Sequence, residues 1–299
     1  MRARLCGRFE SILFPTFRHE RLFPKVARVV PLVLSLALLA GCGRGDAPQA
    51  PVAATPGTAA ETAAPASPAA PVELKDVIET TPGYIVGISY PQMAADYPPL
   101  AQALHDYAEA ARADLMKAVA GLNGEKPRAP YDLSLQFTRV VETPRVVAVA
   151  ADGSSYLGGA HGMPLVERFV WLPQMQQMLA AEQLIPDAGN WKPVSAYVRE
   201  QLMTALSGQL DDEALEGDVR SEQLRFRSRM IDEGTAPEPK NFARFEPVMN
   251  ADGSIRALRI VFPPYQVAPY VEGTRTVDVP AQVLLPLVAS EYKALFRAG

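Results

Sequence analysis

The spacing of hydrophobic and polar positions changes period several times along this chain. Its longest regular stretch runs from Pro98 to Gly124, "PPLAQALHDYAEAARADLMKAVAGLNG". There Leu100, Leu104, Ala108, Ala111, Leu115, Val119 and Leu122 recur every three or four residues, which predicts an amphipathic helix. Pro98 and Pro99 suit its first turn, and Gly121 or Gly124 its end. Ahead of it, "VELKDVIE" and "YIVGISY" are short β-like runs separated by "TTPG". After it, "YDLSLQFTRVV" alternates strictly, with Tyr131, Leu133, Leu135 and Phe137 on one face. "RVVAVAADGSS" predicts a further strand running into a turn at Asp152-Gly153, and "LVERFVWL" a return strand.

Beyond residue 173 the period becomes helical. "QMQQMLAAEQLI" reads as a short helix. "KPVSAYVREQLMTALSG" reads as a longer one, with Val194, Val198, Leu202 and Leu206 on one face. "DDEALEGDVRSEQLRFRSRMIDEG" is charged and helical in part. "FEPVMNADGSIRALRIVF" predicts a hairpin turned at Asp252-Gly253, and "TRTVDV" a last strand. "QVLLPLVASEYKALF" predicts a C-terminal helix with Pro286 in its first turn. Helices interspersed with hairpins predict an α+β fold, with antiparallel sheet hairpins and helices packed against them. Residues 73–299 are long enough for one substantial core, or for two lobes at about 73–150 and 151–299.

The N-terminal residues follow a different logic. Arg18, Arg21, Lys25 and Arg28 precede an apolar run, Val29 to Gly41, of 13 residues. That is short of the roughly 20 needed to span a bilayer, and it has the form of a secretory signal. The run closes in "LAGC", which resembles the bacterial lipobox, so residues 1–41 are expected to be a signal peptide and Cys42 the lipidated residue. Gly43, rather than aspartate, follows that cysteine. This resembles lipoproteins sorted to the outer membrane, facing the periplasm of a diderm bacterium. The other cysteine, Cys6, lies in the signal, so the mature chain has no thiol pair for a disulfide. Residues 43–72 are mostly Ala, Pro, Thr and Gly and are expected to be a disordered tether. As a flexible coil it would span roughly 30 Å, and about 90 Å if drawn out.

Removing residues 1–41 takes away seven Lys/Arg and two Asp/Glu, which moves the net charge from −4 to −9. An acidic surface argues against nucleic acid as partner and suits a basic protein. No P-loop, dinucleotide fingerprint, HExxH or GxSxG occurs. With two histidines beyond the signal, His105 and His161, no His-rich metal site is expected, and no cofactor. The run Asp211 to Asp218 lacks the alternate carboxylates of a calcium loop and reads as a solvated charge run. His105 falls on the polar face of the long helix.

His161 is the candidate catalytic residue. It sits in "SSYLGGAHG", Ser154 to Gly162, with Asp152, Ser154 and Ser155 close in sequence. A histidine can act as general base, but a hydrolase also needs a hydroxyl and an orienting carboxylate in reach. The other reading is a structural corner, where Gly158 and Gly159 supply positive φ. Tyr265 and Tyr270 in "PYQVAPY" either close a core edge or offer ring faces to a sugar. Trp171 and Trp191 are expected in the core.

Two segments about a hundred residues apart carry a resemblance. "YLGGAHG" (Tyr156, Gly158, Gly159, Ala160, His161) and "FPPYQVAPYVEGTRTVDVP" (Tyr265, Ala268, Pro269, Gly273) together resemble the RsiV-like extracytoplasmic domain family. That resemblance implies an α+β ectodomain and marks Tyr156, Gly158, Gly159, His161, Tyr265 and Tyr270 as a ligand loop. Family members include lysozyme-sensing anti-sigma factors and proteins with peptidoglycan deacetylase domains. This sequence holds no sigma-binding segment and no deacetylase metal ligands, so what carries over is a binding scaffold. Three readings stand: a lipid-anchored envelope protein binding lysozyme-like proteins or peptidoglycan; a cell-wall hydrolase or esterase using His161; and a purely structural envelope lipoprotein.

Overall fold

The computed structural model describes residues 72–213 and 215–298; the expected signal peptide, Cys42 and the expected tether up to residue 71 lie outside the described residues. The chain begins with β1 (Val77–Thr80) and β2 (Tyr84–Ser89), and crosses through the long helix α1 (Pro98–Gly121). It then returns as β3 (Tyr131–Glu142), β4 (Val147–Tyr156), β5 (Met163–Leu172) and the short β6 (Gln177–Met178). These six strands form one sheet in sequence order. Every pairing is antiparallel except β2 with β3, which the α1 crossover makes parallel.

The helical half follows as α2 (Ala181–Leu184), α3 (Trp191–Asp212) and α4 (Gly217–Gly234). A second, three-stranded antiparallel sheet is built from β7 (Phe245–Met249), β8 (Ile255–Phe262) and β9 (Arg275–Pro280), followed by α5 (Ala281–Leu284). The expected α+β class, with antiparallel hairpins and packed helices, is the fold observed. No helix among the described residues is long and apolar enough to cross a membrane.

The alternation in β3 does what its sequence dictates. Leu133, Leu135 and Phe137 are buried, and they meet Leu100, Leu104, Ala108 and Leu115 of α1. Strand β4 breaks that alternation, since Val147 to Ala151 are buried consecutively. A strand buried on both faces must be covered on both. Val147, Val149 and Ala151 belong to the α1 core. Ala148, with Val170 and Leu172 of β5, joins a second core with Leu258, Ile260 and Val279 of the small sheet. The α3 stripe Val194, Val198, Leu202 and Leu206 lines that second core, as do Trp191 and Leu210. Trp171 and Trp191 are both buried, as expected.

Three local expectations are corrected. Asp152-Gly153 is not a turn. Both residues lie inside β4, paired with Gln136 and Leu135 on one side and Val166 and Leu165 on the other. Gly153 is there because β3 runs close: a Cβ would fall 2.0 Å from the Ser134 carbonyl oxygen. The hairpin instead turns through the glycines beyond Tyr156. "QMQQMLAAEQLI" divides into β6 and α2, because Gln177 and Met178 pair with Leu172 and Trp171. The C-terminal helix stops at Leu284, before Pro286, and resumes as a 3₁₀ segment, Ser290–Leu295. Proline lacks an N–H and its ring collides with the carbonyl one turn back.

Candidate functional site: an aromatic corner between two loops

The β4–β5 connection spans the glycine stretch. Gly158 and Gly159 have φ of +91° and +103°, in the region where side chains are strained. Gly158 also packs over Tyr131, since a Cβ there would lie 3.5 Å from that ring. The Tyr156 hydroxyl donates to the Gly159 carbonyl at 3.2 Å and ties the loop to its own strand.

The second loop joins β8 to β9 and holds Tyr265 and Tyr270. Buried Val267 and Ala268 plug it into the second core. The Tyr265 N–H donates to the Ala268 carbonyl at 3.0 Å. The Gln266 side-chain amide donates to the carbonyls of Gly234 at 3.1 Å and Asn241 at 2.9 Å. Gly234, the last residue of α4, lies so close that a Cβ would fall 2.0 Å from the Gln266 carbonyl oxygen. At the far end Glu272, with a side chain only 10% exposed, pairs with Arg275 at 2.8 Å and Arg227 at 3.3 Å. These ties leave little freedom to the segment carrying the tyrosines.

The two loops meet. His161 Nε2 lies 3.1 Å from the Tyr265 hydroxyl, and its ring stacks on Tyr270 at 4.5 Å between centroids and 24° between planes. Tyr265 and Tyr270 are 5.5 Å apart. His161 Nδ1 lies 3.0 Å from the Gly162 carbonyl. A carbonyl can only accept, so Nδ1 carries a proton, and in the neutral ring Nε2 accepts from the Tyr265 hydroxyl. Tyr265 is half exposed and holds φ of +73°, an outlier for a bulky side chain. The reading in which Tyr265 closes a core edge is therefore corrected: its ring projects from a plugged loop rather than into the core. Backbone strain of this kind persists only where the surroundings enforce it, and it clusters at functional sites.

The hydrolase constellation is not assembled here. Among the described residues, the hydrogen bonds of His161 go to Gly162 and Tyr265, not to a serine or a carboxylate. Asp152 instead pairs with Arg168 at 3.1 Å. Ser154 and Ser155 point to opposite faces of β4, and Ser155 is buried in register with Leu133. His105 lies half-buried on α1 with Nδ1 3.7 Å from Asp106. No group of three metal-ligating side chains occurs among the described residues.

A feature with no clear mark in the sequence lies between the sheets. The Arg168 side chain is only 8% exposed and pairs with Asp152 of its own sheet and with Glu246 of β7 at 3.0 Å. Glu246 also faces Arg259, at 3.7 Å, and Arg259 pairs with Asp278 at 2.7 Å. The sequence shows only two adjacent charged residues, Glu167 and Arg168, inside the apolar run "LVERFVWL".

The fold and the corner define an α+β module that presents an aromatic surface at the meeting of two loops. Two family models match it in sequence: "Deacetylase PdaC" over residues 78–164 and "Protein of unknown function (DUF3298)" over residues 184–282. The chain thus carries a PdaC-like domain followed by a DUF3298 domain. His161 falls in the first and Tyr265 and Tyr270 in the second, so neither domain alone contains the corner. A curated relative is the peptidoglycan-N-acetylmuramic acid deacetylase PdaC of Bacillus subtilis, 20% identical over 222 residues. The match covers 74% of this chain, which spans only 42% of the relative's length. The chain is also similar to a crystal structure of a DUF3298 family member from Bacteroides fragilis, with 14% identity, a TM-score of 0.45, and coverage of 73% of this chain and 93% of that one. A DUF3298 family protein from Pseudomonas aeruginosa has 16% identity, a TM-score of 0.46, and coverage of 75% of this chain and 94% of that one.

Proposed function

We propose that this protein is a lipid-anchored envelope protein whose α+β module binds peptidoglycan glycan through the corner of His161, Tyr265 and Tyr270. The observation that carries this reading is the exposed Tyr265 ring, held at positive φ beside a stacked histidine and tyrosine. Sugar rings have apolar faces that stack on aromatic ones, and a pre-organised platform loses little entropy on binding. The curated relative is by its name an enzyme of peptidoglycan, which supports the same ligand class. The anchor is the lipid on Cys42, and the place is the periplasmic face of the outer membrane.

A second reading, a basic wall-active protein of the lysozyme kind as partner, is supported by the net charge of −9 beyond the signal. Salt separates the two. Stacking on glycan persists at high salt, whereas steering of a cationic protein is screened. The test is retention of the purified full chain on insoluble peptidoglycan and on immobilised lysozyme, at low and high salt. Salt-resistant retention on peptidoglycan that falls with Tyr270→Ala is the expected result. Retention on neither overturns both readings and leaves a structural role. Cys42→Ala is expected to release the protein from the membrane fraction, and an unchanged distribution would refute the anchor.

A further inference from the structure

The glycine loop that carries His161 also walls an open groove of about 520 Å³, within the size range of small-molecule sites. Tyr131 and Tyr156 line it with the exposed Gly158–Gly159 segment, Pro127 and Arg128. Three features of this lining bear on what it could hold. First, Tyr131 and Tyr156 are half-buried, so each ring is fixed by the protein and still reaches the surface. The Tyr156 hydroxyl is held by Gly159, and Tyr131 is overlain by Gly158.

Second, Gly158 and Gly159 present backbone without side chains. A Cβ on Gly159 would meet nothing within 4 Å, so the peptide faces open space and can be approached closely. Third, Arg128 is the one Lys, Arg, Asp or Glu in the lining. It is exposed and has neither an ion pair nor a side-chain hydrogen bond among the described residues. Other arginines of the fold, such as Arg112, Arg168, Arg227 and Arg259, are paired.

We infer that this groove is a binding subsite for a carboxylate-bearing amino-sugar unit of a glycan chain. Ring faces would lie against Tyr131 and Tyr156. An acylamino group would exchange hydrogen bonds with the Gly158–Gly159 backbone, and the Arg128 guanidinium would receive the carboxylate, which its planar fork matches. Gly159 and His161 are two residues apart, at most about 7 Å of chain. A linear glycan crossing the loop would therefore touch both the groove and the aromatic corner. The inference rests on the glycan-binding reading and adds to it a second subsite with a preference for negative charge.

The test is calorimetric titration of the purified full chain with two tetrasaccharides of equal length. One is the neutral N-acetylglucosamine tetramer; the other alternates N-acetylglucosamine with N-acetylmuramic acid and carries free carboxylates. At low salt the wild type is expected to bind the carboxylated chain about two- to fivefold more tightly, the scale of one exposed ion pair in water. Arg128→Gln, a change at an exposed site, is expected to abolish that preference, so that the two chains bind the variant equally. Tyr131→Ala should weaken both. Equal binding of the two chains by the wild type, or a preference that survives Arg128→Gln, overturns the subsite and leaves the aromatic corner standing. Binding of neither chain overturns the glycan reading itself.

Discussion

Tyr265 sets a local cost against a use. An aromatic residue in the left-handed region is strained by about 1–2 kcal/mol. Asparagine tolerates that conformation, so Tyr265→Asn relieves strain while losing ring contacts of similar size. The expected outcome is an unfolding free energy within about 1 kcal/mol of wild type in urea, together with clearly weaker glycan retention. A large loss of stability would mean that the ring is structural. Asp252 is a second informative residue, and it carries a pH dependence. In the β7–β8 turn the Ser254 hydroxyl, the Ser254 N–H and then Arg297 stabilise its charged form, lowering its pKa from 3.8 to about 2. A carboxylate depressed in the folded state contributes stability above its unfolded value and loses it as pH falls toward the folded one. Asp252→Asn should therefore be less stable than wild type near neutral pH. The gap should close between about pH 4 and pH 2, as read by denaturation at a series of pH values.

At the scale of elements, the corner depends on contacts that admit no side chain. Helix α4 ends at Gly234 directly under the loop that carries Tyr265. Gly234→Ala would drive a methyl group into the Gln266 carbonyl, and backbone cannot yield as a flexible side chain does. We expect a loss of about 1–3 kcal/mol, typical of overpacking, and a displaced Tyr265. The readout is a joint fall in urea midpoint and in glycan retention, in contrast to Tyr265→Asn, where retention falls alone. Gly153 plays the same part between the paired strands β3 and β4, where the Ser134 carbonyl leaves no room for a Cβ. In both places a glycine of ordinary φ marks close backbone approach rather than a turn.

Across the whole molecule, the two sheets are joined by apolar packing around Ala148, Val170 and Ile260 and by the Arg168 bridge to Glu246. A cation this buried is costly to lose, because its carboxylate partners stay behind. Arg168→Met is expected to lower stability by about 3 kcal/mol, less than a fully enclosed pair would, since Asp152 reaches solvent and Glu246 keeps Arg259 nearby. Adding Glu246→Leu should restore most of the loss. If the double variant is as unstable as the single one, the bridge is not the source of the effect. Urea titration followed by tryptophan fluorescence suits the measurement, with Trp171 beside the α1 core and Trp191 in the second.

Much of the local structure was legible because it is encoded over short spans. Strict alternation at Leu133, Leu135 and Phe137 implies one buried face. The helical spacing of Leu100, Leu104 and Leu115, and of Val194, Val198 and Leu202, implies one buried stripe. The Asp252-Gly253 turn was legible for the same reason, with Gly253 at φ +79° between two strands. Asp152-Gly153 carries the same pair of residues and is no turn, because its neighbours are set by strands β3 and β5 rather than by the local chain. The sequence by itself determined the α+β class, the principal helices and strands, and two marked segments a hundred residues apart. Only the tertiary structure decided that these segments meet, with His161 on Tyr265 and Tyr270. It also decided the parallel pairing of β2 with β3 and the Arg168 bridge. The physical reason is that periodicity and turn chemistry act through neighbours along the chain, whereas contacts across a hundred residues are selected by packing of the whole core.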